Sequence, residues 1–373
     1  MYDTKIESRV LVVGLITAKN RMVDIDSYFD EFRNLVKSND IIPIAEYFTK
    51  LRDISNKTFI SKGKLEEIRL LCIKHEIEEV IISEILSPNQ ETALEKSLGV
   101  RVYDRTHLIL EIFEKQARSA EAKIQIEISF LEHKRTRVNG RGKLFSQQSG
   151  RIGNKGKGET QKELDLQHID HLLVKLKRDI KELQQIRETQ RKKRLKNNVK
   201  KITLIGYTNA GKSTLFNALT KENVFVEDKL FATLDTTTRE LYLDKKKIGL
   251  LSDTIGFIQN LPTQLIESFN ATLKELEYSD LLIHVIDISN KNWDQHLETV
   301  NKILSDLNLK DKKIIYAINK IDKITSESLE LLKPFLPEPY FLIEANNRDS
   351  INNLINYLVD YAAIKDEPIY ESE

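Results

Sequence analysis

Short apolar runs alternate with segments of helical periodicity over the first 110 residues of the chain and again after residue 200. Residues 10–16, 41–45 and 80–82 predict strands, because each is a brief apolar run bounded by polar positions. Residues 25–36 predict a helix, since their aromatic and aliphatic side chains recur every three or four positions. The pattern indicates an α/β fold, with a small α/β domain at residues 1–110 and a second domain with a mostly parallel sheet at residues 197–364.

The middle of the chain has a different pattern, in which helical periodicity is sustained over residues 105–138 and again over residues 159–196. Two long amphipathic helices joined by a flexible segment pack most simply as an antiparallel coiled-coil hairpin, which we assign to residues 111–196. The alternative is that each helix belongs to the core of a larger bundle. Residues 365–373 are predicted to form a short C-terminal tail.

Composition sets limits without naming a function. The chain has 373 residues, enough for two domains or a little more, and a formal net charge of +1, so any polyanion-binding role has to come from local patches. The only cysteine, Cys72, lies in a predicted helix and is expected to fill the core. Neither a secretory signal nor an apolar run of membrane-spanning length is present in the sequence. We therefore expect a cytoplasmic protein without a membrane partner, monomeric when free.

The most informative stretch is residues 206–213, Gly-Tyr-Thr-Asn-Ala-Gly-Lys-Ser. It follows an apolar run and precedes a helical pattern, which is the strand–turn–helix context that the phosphate-binding motif G-x-x-x-x-G-K-[ST] requires. The glycines allow consecutive backbone N–H groups to surround a polyphosphate, Lys212 reaches the outer phosphates, and the Ser213 hydroxyl is a ligand for Mg²⁺. The alternative is a chance glycine pattern in a loop. Three further motifs, downstream and in the expected order, argue against it.

Two of these motifs indicate the γ-phosphate and the base. Asp253 follows an apolar run, so its carboxylate can hold the water shell of Mg²⁺ at the end of a strand, and the Gly256 N–H can face a γ-phosphate. Asp322, in Asn-Lys-Ile-Asp at residues 319–322, can accept hydrogen bonds from guanine N1–H and from the exocyclic amine, whereas adenine presents an acceptor at N1. The sequence therefore predicts a GTP site.

The third motif, Glu-Ala-Asn at residues 344–346, is placed to lie over the edge of the base. A hydroxyl-rich loop at residues 231–239 precedes Asp253 and predicts a mobile switch, in which one threonine closes on Mg²⁺ while the γ-phosphate is present. Spacing alone does not choose among the four threonines of this loop.

Residues 133–158 contain no acidic residue and six of the 13 glycines of the chain. A glycine-rich basic loop at the end of a helical hairpin cannot bury itself, so its single sign of charge favours contact with RNA. A solvated flexible tip would explain the glycines but not the charge. A second basic run, at residues 191–201, is either another RNA-facing patch or a charge cluster that complements the end of a helix dipole. The predicted RNA-binding side chains are Arg135, Arg137, Arg141, Lys143, Arg151, Lys155 and Lys157.

Several of these segments together resemble the HflX family of translational GTPases. They are residues 61–68 (Ser-Lys-Gly-Lys-Leu-Glu-Glu-Ile), 104–113 (Asp-Arg-Thr-His-Leu-Ile-Leu-Glu-Ile-Phe), 158–161 (Gly-Glu-Thr-Gln), 206–217 and 231–235 (Phe-Ala-Thr-Leu-Asp). The resemblance covers nearly the whole chain, including the order of N-terminal domain, helical hairpin and P-loop GTPase domain. It implies a GTP hydrolase that uses Mg²⁺, binds the large (50S) ribosomal subunit and its rRNA, and acts in ribosome splitting or biogenesis.

The resemblance also implies roles for single residues. Thr233 is the switch threonine on Mg²⁺ beside Ser213, with Asp253 acting through water, and the catalytic set is Lys212, Thr233 and Gly256. The implied nucleotide-binding residues are Gly206, Tyr207, Thr208, Asn209, Ala210, Gly211, Lys212, Ser213, Phe231, Ala232, Thr233, Leu234, Asp235, Asp253, Thr254, Ile255, Gly256, Asn319, Lys320, Ile321, Asp322, Glu344, Ala345 and Asn346.

The chain departs from the family pattern at Thr236, where members usually carry proline, and in a hairpin tip that is longer and more basic than expected. A third position bears on mechanism. Phe257 follows Gly256 where many GTPases carry a glutamine that orients the attacking water. Because an aromatic ring cannot hold water by hydrogen bonds, slow intrinsic hydrolysis is expected, with the missing group or geometry supplied by the ribosome.

Overall fold

The computed structural model describes residues 9–17, 24–146, 157–195, 199–220, 230–231, 234, 236–243, 246–259 and 276–363. Side chains are described within these ranges except at residues 139–146, 157–161, 184 and 186–195. The chain divides into two compact units, with the boundary after Gln184. Among the helices within these ranges, none has the length and apolar character needed to cross a membrane.

The first unit begins with a parallel sheet covered by helices. Its strands are β1 (Val10–Ile16), β2 (Ala45–Lys50), β3 (Glu79–Ile82) and β4 (Arg101–Tyr103), and its helices around them are α1 (Ile25–Ser38), α2 (Lys62–Lys74), α3 (Pro88–Leu98) and α4 (Arg105–Gln116). The strand order is β2-β1-β3-β4, and every neighbouring pair is parallel. All seven residues of β1 are buried, which explains its uninterrupted apolar run. The predicted small α/β domain is confirmed.

Capping residues set the ends of the helices that lead toward the hairpin. The Ser87 hydroxyl accepts from the Gln90 N–H at 3.3 Å, and the Gln90 side chain accepts from the Ser87 N–H at 3.0 Å, so α3 starts with a capping box. Gly99 ends the same helix in the left-handed conformation, with φ of +76°. Asp104 caps α4 by accepting from the His107 N–H at 2.9 Å.

Two long helices follow, α5 (Ala120–Ser146) and α6 (Lys157–Leu195). They run antiparallel, because Glu132 of α5 pairs with Lys177 of α6 at 2.6 Å while the later Arg135 pairs with the earlier Asp170 at 2.8 Å. The predicted helical hairpin is therefore confirmed. The buried apolar side chains between the two helices are Ile128, Ile169, Leu173, Leu176 and Ile180.

The limits of the hairpin helices differ from the prediction. The helix expected over residues 105–138 is interrupted, since Ala117 takes an extended conformation with ψ of 119° and Ser119 caps the new helix through the Ala122 N–H at 3.1 Å. The loop expected at residues 133–158 is helical up to Ser146 and again from Lys157. Each glycine costs a helix only about 1 kcal/mol, so Gly140 and Gly142 do not by themselves end it. Residues 147–156 lie outside the described ranges.

The second unit is built on a six-stranded sheet. Its strands are β5 (Lys201–Gly206), β6 (Thr237–Leu243), β7 (Lys246–Asp253), β8 (Leu281–Asp287), β9 (Ile314–Asn319) and β10 (Tyr340–Leu342), and its described helices are α7 (Lys212–Thr220), α8 (Trp293–Asp306), α9 (Ser326–Leu332) and α10 (Asn352–Ala363). The order is β10-β9-β8-β5-β7-β6, with only the β6–β7 pair antiparallel among the pairs described. The predicted mostly parallel sheet is confirmed.

The strand order explains why motifs far apart in sequence meet. β5 lies between β7 and β8, and β9 lies beyond β8, with all four strands parallel. Their carboxyl ends therefore lie at one edge of the sheet, where open α/β sheets bind ligands. The predicted phosphate-binding loop, Asp253 and the Asn-Lys-Ile-Asp motif each occur at one of these carboxyl ends.

Candidate nucleotide-binding site

The turn between β5 and α7 has the backbone conformation of a phosphate-binding loop. Gly206 has φ of +146° and Gly211 has φ of +97°, values that residues with a side chain rarely adopt. A Cβ atom would also come 2.3 Å from the Val285 carbonyl oxygen at Gly206 and 2.2 Å from Asn319 Nδ2 at Gly211. Both glycines are therefore required. The loop runs directly into the N-terminus of α7, where backbone N–H groups are available to bind an anion.

Lys212 begins α7 and is buried inside the loop. Its ammonium group donates to the carbonyl oxygens of Tyr207 at 2.8 Å and Gly206 at 3.2 Å. Burial lowers the pKa of Lys212 to about 8, the Asp253 carboxylate opposes this shift, and the charge of Lys320 adds to it. A buried cation surrounded mainly by carbonyl groups is suited to bind an anion such as phosphate.

Ser213 and Asp253 place two oxygen ligands side by side. Asp253 ends β7 beside Leu204 of β5, and the Ser213 hydroxyl donates to its Oδ2 atom at 2.7 Å. A hydroxyl and a carboxylate are the hard oxygen donors that Mg²⁺ prefers. The residues present at this point therefore fit a Mg²⁺ ion.

The segment after β7 is held against the phosphate-binding loop by two backbone hydrogen bonds. The Thr208 N–H donates to the Phe257 carbonyl at 2.7 Å, and the Phe257 N–H donates to the Gly206 carbonyl at 3.1 Å. Gly256 has no room for a side chain, because a Cβ atom would lie 2.9 Å from Lys212 Nζ. The Phe257 residue is only 1% exposed. Position 257 therefore offers a substrate neither a polar side chain nor a free backbone group.

Asn319 joins the predicted base-binding segments to the phosphate-binding loop. It ends β9, its Nδ2 atom donates to the Ala210 carbonyl at 2.8 Å, and its Oδ1 atom accepts from the Ala345 N–H at 2.9 Å. Both ends of the amide are thus used to hold three loops together.

Lys320 links the same loops through its charge. It has φ of +61°, and its Nζ atom donates to the Asn209 carbonyl at 2.8 Å and lies 2.7 Å from Asp287 Oδ2. Asp287 ends β8, and its Oδ1 atom accepts from the Ser289 N–H at 3.0 Å and from the Ser289 hydroxyl at 2.6 Å. Asp287 was not predicted from the sequence. The available signal was its position directly after a buried apolar strand.

The other predicted base-binding residues lie at the same edge of the sheet. Asp322 is part of the short 3₁₀ helix Ile321–Lys323 and is exposed, so its carboxylate is accessible to a base. Ala345 is buried and Glu344 half-buried, while Asn346 is exposed. The strand ends thus bring the phosphate, metal and guanine motifs predicted from the sequence into one site.

Comparison with known proteins identifies the family. Three family models match, described as GTP-binding GTPase N-terminal at residues 26–114, GTP-binding GTPase middle region at residues 116–194 and 50S ribosome-binding GTPase at residues 201–320. The chain is 40% identical over 316 residues to GTPase HflX of Caldanaerobacter subterraneus subsp. tengcongensis, covering 85% of this chain and 73% of that protein. The chain belongs to the GTPase HflX family. Its identity to GTPase HflX of Escherichia coli is 36%, over 85% of this chain and 74% of that protein.

A solved structure has the same fold as this HflX family member. The crystal structure of a protein named SsGBP in complex with GDP matches with a TM-score of 0.51 at 25% identity, covering 95% of this chain and 98% of that one. The predicted family and GTPase fold are confirmed, and the chain is an enzyme of the GTP-hydrolysing class. The domain limits taken from the sequence stay a prediction.

Part of the predicted nucleotide set lies outside the described residues, namely Ala232, Thr233 and Asp235. Their neighbours Phe231, with φ of +58°, and Leu234 are buried. The assignment of Thr233 as the switch threonine of this HflX family member stays a prediction.

The two predicted RNA-binding arginines whose side chains are described have different surroundings. The Arg135 side chain is 49% exposed and pairs with Asp170. Arg137 is 15% exposed, and its guanidinium lies 3.0 Å from Glu91 and 2.8 Å from Asp104. The expectation for Arg137 is corrected, because its charge is used to neutralise two carboxylates inside the first unit. The side chains of the other predicted residues, Arg141, Lys143, Arg151, Lys155 and Lys157, lie outside the described set.

Proposed function

We propose that this HflX family member is a ribosome-dependent GTPase that binds the large ribosomal subunit and splits ribosomes in its GTP-bound state. The observation that carries the proposal is the buried Phe257, which lies against the phosphate-binding loop beside Gly256. Its ring and its backbone are both unavailable to an attacking water, so the protein alone hydrolyses GTP slowly and the ribosome completes the site. GTPases completed by a partner gain roughly 10³- to 10⁵-fold in rate. The match to the 50S ribosome-binding GTPase model supports the choice of partner.

Each part of the site has a role in this proposal. The N–H groups of residues 206–213 and the Lys212 ammonium hold the phosphates, and Asp322 selects guanine by accepting from N1–H and the exocyclic amine. Mg²⁺, which offsets the phosphate charge, would be held by Ser213, by Asp253 through water, and by Thr233 of the switch loop. The Gly256 N–H faces the γ-phosphate. Loss of the γ-phosphate releases the switch loop, and the protein then leaves the ribosome.

The basic end of the hairpin supplies the proposed contact with rRNA. Its charge is of one sign, since residues 133–158 include no acidic residue. The pair of Arg135 with Asp170 is at the surface and contributes roughly 0–1 kcal/mol, so Arg135 can exchange this partner for a phosphate. The proposed RNA-binding set omits Arg137 and consists of Arg135, Arg141, Lys143, Arg151, Lys155 and Lys157.

The first experiment measures GTP turnover by the protein alone, with large subunits and with intact ribosomes, and follows subunit separation by sedimentation in the same samples. We expect stimulation of at least about a hundredfold together with loss of intact ribosomes.

In a variant with Arg141, Arg151, Lys155 and Lys157 changed to alanine, the slope of log affinity against log salt should fall by about 3. The matched control changes the exposed Lys291, Lys302, Lys310 and Lys323.

Three results contradict the proposal in separate parts. Fast turnover that ribosomes do not raise removes the dependence on the ribosome. Stimulation without subunit separation removes the splitting activity and favours a role in ribosome assembly. If the slope of log affinity against log salt is unchanged in the tip variant, or changes equally in the control variant, the hairpin tip does not contact rRNA.

A further inference from the structure

GTP hydrolysis needs a polar group that holds the attacking water in line with the γ-phosphate, and Phe257 cannot provide it. Its N–H donates to Gly206, and its carbonyl accepts from Thr208. The next residue, Ile258, is apolar and fully buried. Hydrolysis by the protein alone therefore needs a different polar group, and the described part of the site offers one.

Thr208 lies beside Gly256 and Lys212, and the methyl carbon of its side chain, Cγ2, is the side-chain atom turned toward Gly256. A Cβ atom built on Gly256 would come 2.8 Å from both Cα and Cγ2 of Thr208, and 2.9 Å from Lys212 Nζ. These three residues therefore converge on one point. This inference rests on the proposed function, in which Lys212 holds the outer phosphates and the Gly256 N–H faces the γ-phosphate, so that this point is the γ-phosphate end of the loop.

The Thr208 hydroxyl lacks a hydrogen-bond partner in the part of the chain that the structure describes. The residue is 6% exposed, and its Oγ1 atom is buried. Two other buried threonines of the same unit differ, since Thr254 donates to the Leu204 carbonyl at 2.7 Å and Thr203 shares a hydrogen bond with Ser279 at 2.6 Å. An unmade buried hydrogen bond costs about 1–3 kcal/mol. This cost, at a hydroxyl whose residue lies beside Gly256 and Lys212, favours a partner that arrives with the substrate.

The loop also holds the Thr208 backbone in place before substrate binds. The Thr208 N–H is fixed by the Phe257 carbonyl at 2.7 Å. The following residue, Asn209, has φ of +59°, and Lys320 donates to its carbonyl at 2.8 Å. Threonine is β-branched, so only its χ1 angle remains to be chosen and few values are allowed. With the backbone fixed, a rotation about χ1 is the one adjustment that presents the hydroxyl to the substrate.

We propose that the Thr208 hydroxyl is a catalytic group that accepts a hydrogen bond from the attacking water and donates one to a γ-phosphate oxygen. The water oxygen forms the new bond to the γ-phosphorus, the bond from phosphorus to the β–γ bridging oxygen breaks, and its electron pair leaves with GDP. The proton lost by the water passes to a γ-phosphate oxygen, so the second product is inorganic phosphate. Thr208 gains and loses no proton overall. It supports the basal reaction that the ribosome accelerates.

The test compares Thr208→Val, which keeps the shape of the side chain without the hydroxyl, with Thr208→Ser, which keeps the hydroxyl. In single-turnover hydrolysis by the full chain without ribosomes, Thr208→Val should be slower by roughly ten- to a hundredfold, and Thr208→Ser should stay within about threefold of wild type. GDP affinity should stay within about threefold of wild type in both variants, because GDP has no γ-phosphate. Thr208→Val should also lose binding of GDP with fluoroaluminate, an analogue of the transition state.

The proposal is overturned if Thr208→Val hydrolyses GTP at the wild-type rate. It is also overturned if the valine and serine variants lose the same fraction of that rate. A parallel loss of GDP binding in Thr208→Val overturns it as well, since the hydroxyl would then support the loop rather than the reaction. The assay contains no ribosome, so failure of the ribosome-dependent function proposed above leaves its outcome unchanged.

Discussion

Two cations, the buried Lys212 of the second unit and the largely buried Arg137 of the first, are compensated in opposite ways. Lys212 donates to two carbonyl groups, and the nearby Asp253 already accepts from Ser213. Arg137 lies within 3.0 Å of two carboxylates. The lysine charge is not neutralised by a directly paired carboxylate and can still bind an anion, whereas the arginine charge is already neutralised. A buried basic residue therefore indicates a ligand only when the fold leaves its charge without a counter-charge.

The carboxylates around Arg137 form a network that joins α3, α4 and α5 within the first unit. Burial by itself would raise the pKa of Asp104, but the His133 imidazole and the Arg137 charge hold it below its usual value. Burial raises the pKa of Glu91, and Arg137 opposes that shift. The Arg137 guanidinium also donates to the Leu86 carbonyl at 3.3 Å. The network thus fixes the later part of α5 against the sheet domain.

The largest expected effect comes from Lys212→Met, which replaces the unmatched cation by an apolar chain of similar length. GTP turnover should fall by about a thousandfold, since the charge that holds the outer phosphates is lost. Thermal unfolding of the nucleotide-free protein should move to higher temperature, because burial of the charge, which lowers the pKa of Lys212 to about 8, no longer costs folding free energy. The control is Lys310→Met at an exposed lysine. A nucleotide-free protein that is destabilised instead would contradict the contrast with Arg137.

The same replacement at Arg137 should have the opposite consequence. Arg137→Met leaves two buried carboxylates without their cation, so the first unit should lose about 3–5 kcal/mol of stability. GTP turnover by the protein alone should not change. The only tryptophan, Trp293, lies in the second unit, so denaturant unfolding followed by circular dichroism should shift while unfolding followed by tryptophan fluorescence should not. Arg135→Met, two residues away at the surface, is the matched control and should cost at most about 1 kcal/mol. Equal effects of the two substitutions would refute the assignment.

The contrast also shows why one region could be predicted from the sequence and the other could not. The phosphate-binding loop is formed by eight consecutive residues, so the spacing of its motif residues in the sequence is enough to predict its conformation. The partners of Arg137 lie 46 and 33 positions earlier in the chain, and only the packing of α5 on the sheet domain brings them together. The run of basic residues was therefore predicted to form one RNA-binding surface, although one of them, Arg137, is paired with carboxylates inside the first unit.

The fold was predictable for the same reason, since strands and helices follow from local periodicity. The errors lie where local signals compete, as at Ala117, where an apolar helical pattern continues but the backbone becomes extended. Asp287 was missed because its partner Lys320 belongs to a different strand end. Its role depends on the order of strands in the sheet, which a single motif does not contain.

A third buried basic residue, His284 on β8, gives the smallest of these effects and extends the comparison to pH. Its neighbours across the sheet are Ile205 on β5 and Tyr316 on β9, and its Nδ1 atom has no hydrogen-bond partner within the described ranges. Burial lowers the pKa of His284 to about 3 from 6.5, and the charge of Lys212 adds to this shift. With no carboxylate to balance it, this residue stays neutral where Arg137 and Lys212 carry charge.

The sign of the pH effect follows from where the proton binds. Below pH 6.5 the unfolded chain protonates this histidine while the folded second unit does not, so stability falls by about 1.4 kcal/mol per pH unit until the pH approaches 3. Between pH 7 and pH 5 the loss attributable to His284 should be about 2 kcal/mol, and His284→Leu should abolish it. Denaturant unfolding followed by Trp293 fluorescence measures this loss, and the exposed His171→Leu is the control. If the pH dependence of the His284→Leu variant equals that of wild type, the histidine is protonated inside the folded sheet. Burial without a counter-charge would then be too weak to set protonation in this unit, and the same argument for Lys212 would lose its basis.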